Sequence, residues 1–438
     1  MKAKIYTVIL FFLSIYLTFT IITRFAPDAS LIAAISALII STGILFVFKK
    51  DIELLQKVQA IHFSGIIIFT ALITAPLIHS LDGRNEYENR KPAPFPEFHL
   101  SNIWTFPKGL KPFFNDAFAF RNTLIKQHIK VQTNLFQVSP NPQVVTISED
   151  NWLFFVLNPY IQECSDLLTD EELDRITENL LFKKKFLNDR GIKFYLTIPP
   201  VKALFYKEKL PKSFQLSFKH SKLDQLKKHL EKYPEINFID VDTVLEQHKK
   251  DILLYYQTDT HWNQLGAFYA YQEIMKRLIQ DFPQLDYLKL EDMDVEKIDM
   301  KGGDLNELLG DALIFPRTGY SVERKGGFIA ERVLPDSILS SIPILSENLY
   351  IRENNKVNNK LKLCIFRDSF SEYLKPLFSE NFARSSYPWR RELNIKYIDH
   401  EKPDILVHEL LERFIYQLVD LPPDFEAYKQ LLKKQKNL

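Results

Sequence analysis

The run Ile192-Lys193-Phe194-Tyr195-Leu196-Thr197-Ile198 ends abruptly at Pro199-Pro200. A short, mostly apolar run bounded by turn signals reads as a strand, and proline ends it because it lacks the N–H that a ladder needs. Directly upstream, Thr169 and Glu172 form a capping-box pattern, and Leu173, Ile176, Leu180 and Leu187 recur at helical spacing. Gly191 suits the left-handed position that closes such a helix. The local unit is therefore helix, then strand, and it repeats downstream. A helix is expected over 222–232 with a strand at Asn237-Phe238-Ile239-Asp240-Val241, then a helix over 263–279 and strands over 360–366 and at Asp404-Ile405-Leu406-Val407. Asn151-Trp152-Leu153-Phe154-Phe155 reads as a further buried strand. This alternation predicts an α/β fold: a parallel sheet with helices on both faces and a site at the carboxyl ends of its strands. Residues 283–359 break the rhythm, with Gly302-Gly303-Asp304-Leu305 and Glu353-Asn354-Asn355-Lys356, and read as a β-rich insertion between the two halves of that site.

Two clusters carry chemistry. Gln257-Thr258-Asp259-Thr260-His261-Trp262-Asn263 precedes a helix, and Phe366-Arg367-Asp368-Ser369-Phe370 follows a strand. A serine hydroxyl is a weak nucleophile until a base takes its proton; histidine does this near neutral pH, and a buried carboxylate fixes its tautomer. Asp259 stands two residues from His261, so an irregular turn lets the carboxylate meet one ring nitrogen while the other faces a cleft. Ser369 sits where a strand-to-helix turn exposes a hydroxyl and free N–H groups stabilise an oxyanion, with Arg367 and Asp368 as flanking support. Plainer readings compete. Asp259 and Asn263 suit capping, and Ser369 or Asp368 suits the N-cap of the next helix. A metal site at Asp259 and His261 needs more ligands, and none stands nearby at convincing spacing, so no metal or cofactor is expected. His400 and His408 are read as structural.

Composition sets limits. The 438 residues suggest two or three units, and 25% charged with 46% hydrophobic residues is ordinary for a globular protein. A net charge of +1 gives no ground for nucleic-acid binding. Cys164 and Cys364 form no CxxC pair, which argues against a zinc ribbon or a thioredoxin-type site; they read as buried thiols, with a disulfide as the alternative.

Apolar residues crowd into the N-terminus, in segments 5–22, 31–48 and 61–78. Each approaches the roughly 20 residues that cross a hydrocarbon core. The third is the least regular, carrying His62, Gly65 and Pro76. Lys2 and Lys4 precede the first span and Lys49, Lys50 and Lys57 follow the second, whereas the loop between the first two holds only Arg24, balanced by Asp28. That bias puts the N-terminus inside and everything after about Ser80 outside the cytoplasm, provided the third segment crosses. The expected organisation is a membrane anchor over 1–80, a connector with short helices over 81–140, and a catalytic domain over 141–438.

At this point the sequence resembles a family: the AlgX/AlgJ-type SGNH-hydrolase-like proteins of alginate O-acetylation and their DHHW relatives. The resemblance rests on Glu88-Asn89-Arg90, Pro94-Phe95-Pro96, Asn115-Asp116 with Phe120-Arg121, and Asp150-Asn151-Trp152-Leu153-Phe154. It continues through Ile198-Pro199-Pro200-Val201-Lys202, Leu210-Pro211, Asp259-Thr260-His261-Trp262, Asp368-Ser369-Phe370, Lys402-Pro403-Asp404, His408-Glu409 and Glu412-Arg413. It implies a flavodoxin-like SGNH domain with Asp259, His261 and Ser369 as a triad, in an order reversed from ordinary SGNH esterases. It also implies acetyl transfer to an exported polysaccharide, with a membrane-bound O-acyltransferase as partner in the bilayer of the cytoplasmic membrane. Arg367 and Asn151 stand where family members carry glycine, and three spans exceed the usual single anchor. No C-terminal carbohydrate-binding module is expected, because the α/β domain needs the residues after Ser369. The function expected is O-acetyl transfer, with an acetylesterase or a silent glycan-binding scaffold as alternatives. Of Trp104, Trp152, Trp262 and Trp389, Trp152 is assigned to the core, and Trp389 with Arg390 and Arg391 to contact with an anionic glycan.

Overall fold

The computed structural model describes residues 93–94, 96–97, 99, 101, 105–117, 121–309, 315–342 and 349–436. The three expected membrane spans lie outside these residues; among the described ones no helix is long and apolar enough to cross a membrane. The chain divides into two compact units, Met1–His128 and Ile129–Leu438. In the first, helix α1 (Phe106–Ala117) and the start of α2 (Arg121–Lys130) are described. The Ala93 N–H reaches the Asp116 carboxylate (2.7 Å) and ties the connector to α1.

The main elements of the second unit run β1 (Val145–Ile147), β2 (Leu153–Phe155), α3 (Asn158–Ser165), α4 (Asp170–Asn188), β3 (Lys193–Thr197), α5 (Lys222–Leu230), β4 (Phe238–Ile239), α6 (Val241–His248) and α7 (Gln264–Asp281). Then follow β5 (Met293–Met300), α8 (Asp304–Leu308), β6 (Arg317–Arg324), β7 (Glu331–Val333), β8 (Leu349–Glu353), β9 (Lys362–Phe366), α9 (Leu374–Ser379), β10 (Arg384–Pro388), α10 (Ile395–Glu401), β11 (Ile405–Glu409) and α11 (Pro423–Lys436).

Local sequence explains the best-defined of these. The Thr169 hydroxyl accepts from the Glu172 N–H (3.2 Å) while the Glu172 carboxylate accepts from the Thr169 N–H (2.8 Å), so both orphan donors at the start of α4 are satisfied. Gly191 takes φ +74° in the turn that delivers the chain to β3, and α4 packs on that strand. The strand expected over 237–241 shortens to β4 because Asp240 caps α6 instead, accepting from the Thr243 N–H (3.3 Å).

The central sheet has the order β4-β3-β11-β9-β10-β8-β7. Its first five strands are parallel, as the sequence pattern predicts, but β8 and β7 run antiparallel at one edge. The sheet is therefore mixed. Only eight residues join β8 to β9, too few for a crossover helix, so β8 must run opposite to its neighbours. Both β7 and β8 come from within residues 283–359, as does the separate antiparallel pair β5–β6. In the middle, β11 is buried along its whole length, including the polar His408 and Glu409 at its carboxyl end. Trp152 is buried and packs on Tyr206 at 4.7 Å between ring centroids, while Cys164 and Cys364 are free, buried thiols. A small satellite core of Val145, Leu153, Leu305, Leu309 and Phe315 joins β1 and β2 to α8.

Candidate active site

The histidine turn is shaped from both ends. On its far side, Asn263 caps α7, its side-chain oxygen accepting from the Leu265 and Gly266 N–H groups (both 3.0 Å). On its near side, the buried Lys202 ammonium donates to the carbonyls of Leu153 (2.8 Å), Gln257 (2.7 Å) and Asp259 (2.9 Å). Three carbonyls converging on one cation fix the path of the chain. Burial lowers Lys202 to about 7, against the opposing pull of Asp259 and Asp304.

Within the turn, Asp259 does not cap a helix. Its Oδ1 accepts from the His261 N–H (3.0 Å) and lies 2.7 Å from His261 Nδ1. With the ring proton on Nδ1, the lone pair of Nε2 faces Ser369 Oγ at 2.8 Å. Burial opposes the charge on Asp259, but the His261 hydrogen bond and charge, with Arg317 beyond, hold its carboxyl well below the usual range. Burial likewise works against the imidazolium, and Asp259, then Asp304 and Asp368, outweigh it and raise His261 above its ordinary value.

Ser369 opens a four-residue 3-10 turn rather than an α-helix. Both Asp368 oxygens are engaged there, Oδ1 by the Phe370 N–H (2.9 Å) and Oδ2 by the Leu411 N–H (2.8 Å). Arg367 is buried, bonded to the Asp368 carbonyl (3.0 Å) and Glu372 (2.6 Å), with its guanidinium 4.6 Å from the Trp389 ring centroid. Arg367 and Asp368 therefore brace the turn, and the Arg367 Nε is buried without a hydrogen-bond partner. Below them Glu409 accepts from the Asp368 N–H (3.1 Å) and the Ser371 hydroxyl (2.7 Å). Burial and then the Asp368 charge push Glu409 well above the carboxylate range. The two turns are stitched together by the Trp262 indole N–H, which donates to the Phe370 carbonyl (2.9 Å).

Ser369 and His261 lie on the wall of an open cleft of about 720 Å³, which Trp389, Arg390, Arg391 and Arg413 also line. Trp389 is 44% exposed there, whereas Trp262 is buried and Trp104 lies outside the described residues. His408 is buried and its Nε2 donates to the Arg391 carbonyl (2.6 Å); His400 pairs with Asp336 (2.7 Å), so both act structurally.

Four side chains join the site without a role in the sequence reading: Lys202, Asp304, Arg317 and Glu409. Arg317 lies 3.5 Å from Asp259 Oδ2, and Asp304 lies 3.7 Å from His261 Nδ1. The signal for Asp304 was the pair of glycines before it; Lys202 and Glu409 stood only among the landmarks of the resemblance, and Arg317 as an ordinary charged residue. Among the described residues, Asp259, His261 and Asp304 form the group whose donor atoms come near enough to share a metal ion. In the tautomer that serves Ser369, Nδ1 carries the ring proton toward Asp259, so the nitrogen on the carboxylate side presents a donor.

Comparison with known proteins agrees with the fold. Residues 145–327 match the family model described as SGNH hydrolase-like domain, acetyltransferase AlgX; the match includes Asp259 and His261 and stops short of Ser369. Among curated proteins nothing matches. Similar solved structures include Bacillus cereus PatB1 (17% identity, 64% of this chain and 99% of that one, TM-score 0.49). The O-acetyltransferase domain of Pseudomonas putida AlgJ aligns at 18% identity over 65% of this chain and 97% of that one, TM-score 0.40. A DHHW family protein from Eubacterium siraeum aligns at 17% over 64% and 93%, TM-score 0.44. With each of these TM-scores below 0.5, the likeness rests on the family match: residues 145–327 resemble the SGNH hydrolase-like domain of the acetyltransferase AlgX.

Proposed function

We propose that this protein transfers acetyl groups to the hydroxyls of an exported or cell-envelope polysaccharide through an acyl-serine. The observation that carries the reading is the unbroken contact from Asp259 through His261 to Ser369, 2.7 and 2.8 Å, on the wall of an open cleft. Ser369 Oγ attacks the carbonyl carbon of an acetyl donor while His261 Nε2 takes its proton. The bond to the leaving oxygen then breaks, and His261 protonates that oxygen. A sugar hydroxyl next attacks the acetyl-serine, gives its proton to His261, and Ser369 leaves as the proton returns to it. Throughout, Asp259 holds the ring in the working tautomer and stabilises its charged form. Trp389 and Arg390 hold the acceptor chain. In this reading the domain works outside the cytoplasm, anchored in the bilayer by the N-terminal segments and supplied by a membrane-bound O-acyltransferase.

The test is the full-length protein in detergent, given a small acetyl ester with and without oligosaccharide acceptors. Acetylated oligosaccharide is expected, with Ser369→Ala lowering turnover by about 10³-fold or more while leaving the circular dichroism unchanged. Acetate release that ignores every acceptor would mark an esterase. Polymer acetylation that survives Ser369→Ala would leave a binding scaffold. The pH profile has a definite sign. His261 must be neutral to accept the proton and its pKa is raised, so activity falls as pH drops through a midpoint above the usual 6.5 of histidine.

A further inference from the structure

Asp304 is no member of the triad, yet it touches the turn that carries His261. We propose that Asp304 is a positioning residue with two tasks: it braces the histidine turn through Thr260, and it supplies a second negative charge that steadies His261 when the ring takes its proton. This rests on the acyl-serine reading above.

The brace is visible in the contacts. Asp304 Oδ1 accepts from the Thr260 N–H (2.8 Å), Oδ2 accepts from the Thr260 hydroxyl, and the Asp304 N–H points to Asp259 Oδ2 at 3.4 Å. One carboxylate thus holds the residue between the triad aspartate and the triad histidine. Its approach is built in. The satellite core seats Leu305 and Leu309 against β1 and β2, which fixes α8 beside the turn. Gly303 has φ +110°, and a Cβ there would lie 2.4 Å from the Thr258 carbonyl oxygen, so any other residue would push Asp304 away.

The charge task follows from what surrounds the ring. Asp259 cannot give its whole charge to the imidazole, because its other oxygen faces Arg317 at 3.5 Å. Arg317 is itself held, donating to the Tyr373 hydroxyl (2.7 Å) and lying 3.9 Å over the Tyr256 ring. Lys202 adds a second cation against the Asp259 carbonyl. On the serine side, the Asp368 carboxylate is occupied by two backbone N–H groups. When His261 becomes an imidazolium, three cations share the neighbourhood. Asp304 Oδ2 lies 3.7 Å from Nδ1, partly open to the cleft. Burial and the Asp259 charge raise its carboxyl above the ordinary value, and the imidazolium pulls it back toward the charged form that balances these cations.

The experiment compares the parent with Asp304→Asn, Asp304→Ala and Ser369→Ala in the full-length protein in detergent. Hydrolysis of 4-nitrophenyl acetate is followed from about pH 5 to 9, and the ring-proton NMR titration of His261 is recorded beside it. Asp304→Asn preserves a side chain that can hold Thr260 but not the charge. It is expected to move both the acid limb and the His261 titration about one pH unit lower, with a plateau reduced about three- to tenfold. Asp304→Ala loses the brace as well and falls further at every pH. An unmoved titration in Asp304→Asn overturns the proposal, even if Asp304→Ala is inactive, because only a structural brace would then remain. Should Ser369→Ala hydrolyse the ester as fast as the parent, the acyl-serine reading fails, and the titration alone still decides whether Asp304 charges the ring.

Discussion

The histidine turn and the serine turn are both held in place by buried carboxyl groups, and the pKa is driven down at Asp259 in the first and up at Glu409 in the second. Around His261, Asp259 is ionised although burial disfavours it, because an imidazole and Arg317 face its two oxygens. Around Ser369, the neighbours of the buried Glu409 are a backbone N–H, a serine hydroxyl and the Asp368 carboxylate, so burial and that nearby charge favour its protonated form. The same chemical group is thus pushed toward its charged form in one turn and toward its neutral form in the other. The lesson is that burial alone does not set a carboxyl group's state; what counts is whether a cation is buried with it. In the proposed acyl-serine mechanism, a base that gains and loses a proton gains from fixed negative charge, whereas the nucleophile's turn only has to stay still.

Removing charge on the histidine side should be the most damaging change. Asp259→Asn keeps the shape but turns an amide N–H toward Nδ1, so the ring adopts the wrong tautomer. Turnover of an acetyl ester is expected to fall about 10³- to 10⁴-fold with the fold intact by circular dichroism. A drop of less than tenfold would put the two turns on an equal footing and break the contrast. Next in size is Lys202→Met, which strips the shared donor from the carbonyls of Leu153, Gln257 and Asp259 in a buried place. Urea unfolding should show a loss of about 3–5 kcal/mol, the cost of leaving buried carbonyls unpaired. The smallest effect is expected on the serine side. Because burial favours the protonated form of Glu409, Glu409→Gln should leave ester turnover within about threefold of the parent at neutral pH. A much larger fall would mean that an ionised carboxylate is needed there too.

The parts of the fold that were legible share a property: their pattern is local. The runs that became β3, β9 and β11 are continuous and apolar because central parallel strands are covered on both faces. β10 went unseen because Ser385 and Ser386 look like surface residues, yet both are wholly buried between β9 and β8. β7 and β8 were hidden in a stretch read as an insertion, since an antiparallel edge needs no helix to announce it. In the site, Asp259, His261 and Ser369 stood out as short clusters next to element boundaries. Glu412 stood out only as a landmark. In the structure it knits the Val201 N–H (3.0 Å), the Leu223 N–H (3.3 Å) and the Ser221 hydroxyl (2.6 Å), and burial raises it to about 7.

The sequence by itself determined which elements alternate, where they begin and stop, and which serine, histidine and aspartate stand on turns. Those facts depend on propensity, capping and periodicity, which act over a few residues. Only the tertiary structure decided that Ser369 meets His261 across 108 positions of chain, that Lys202 and Asp304 grip the histidine turn from either side, and that burial beneath the serine raises the pKa of Glu409. Electrostatics and burial depend on what is near in space, and no local pattern encodes that distance.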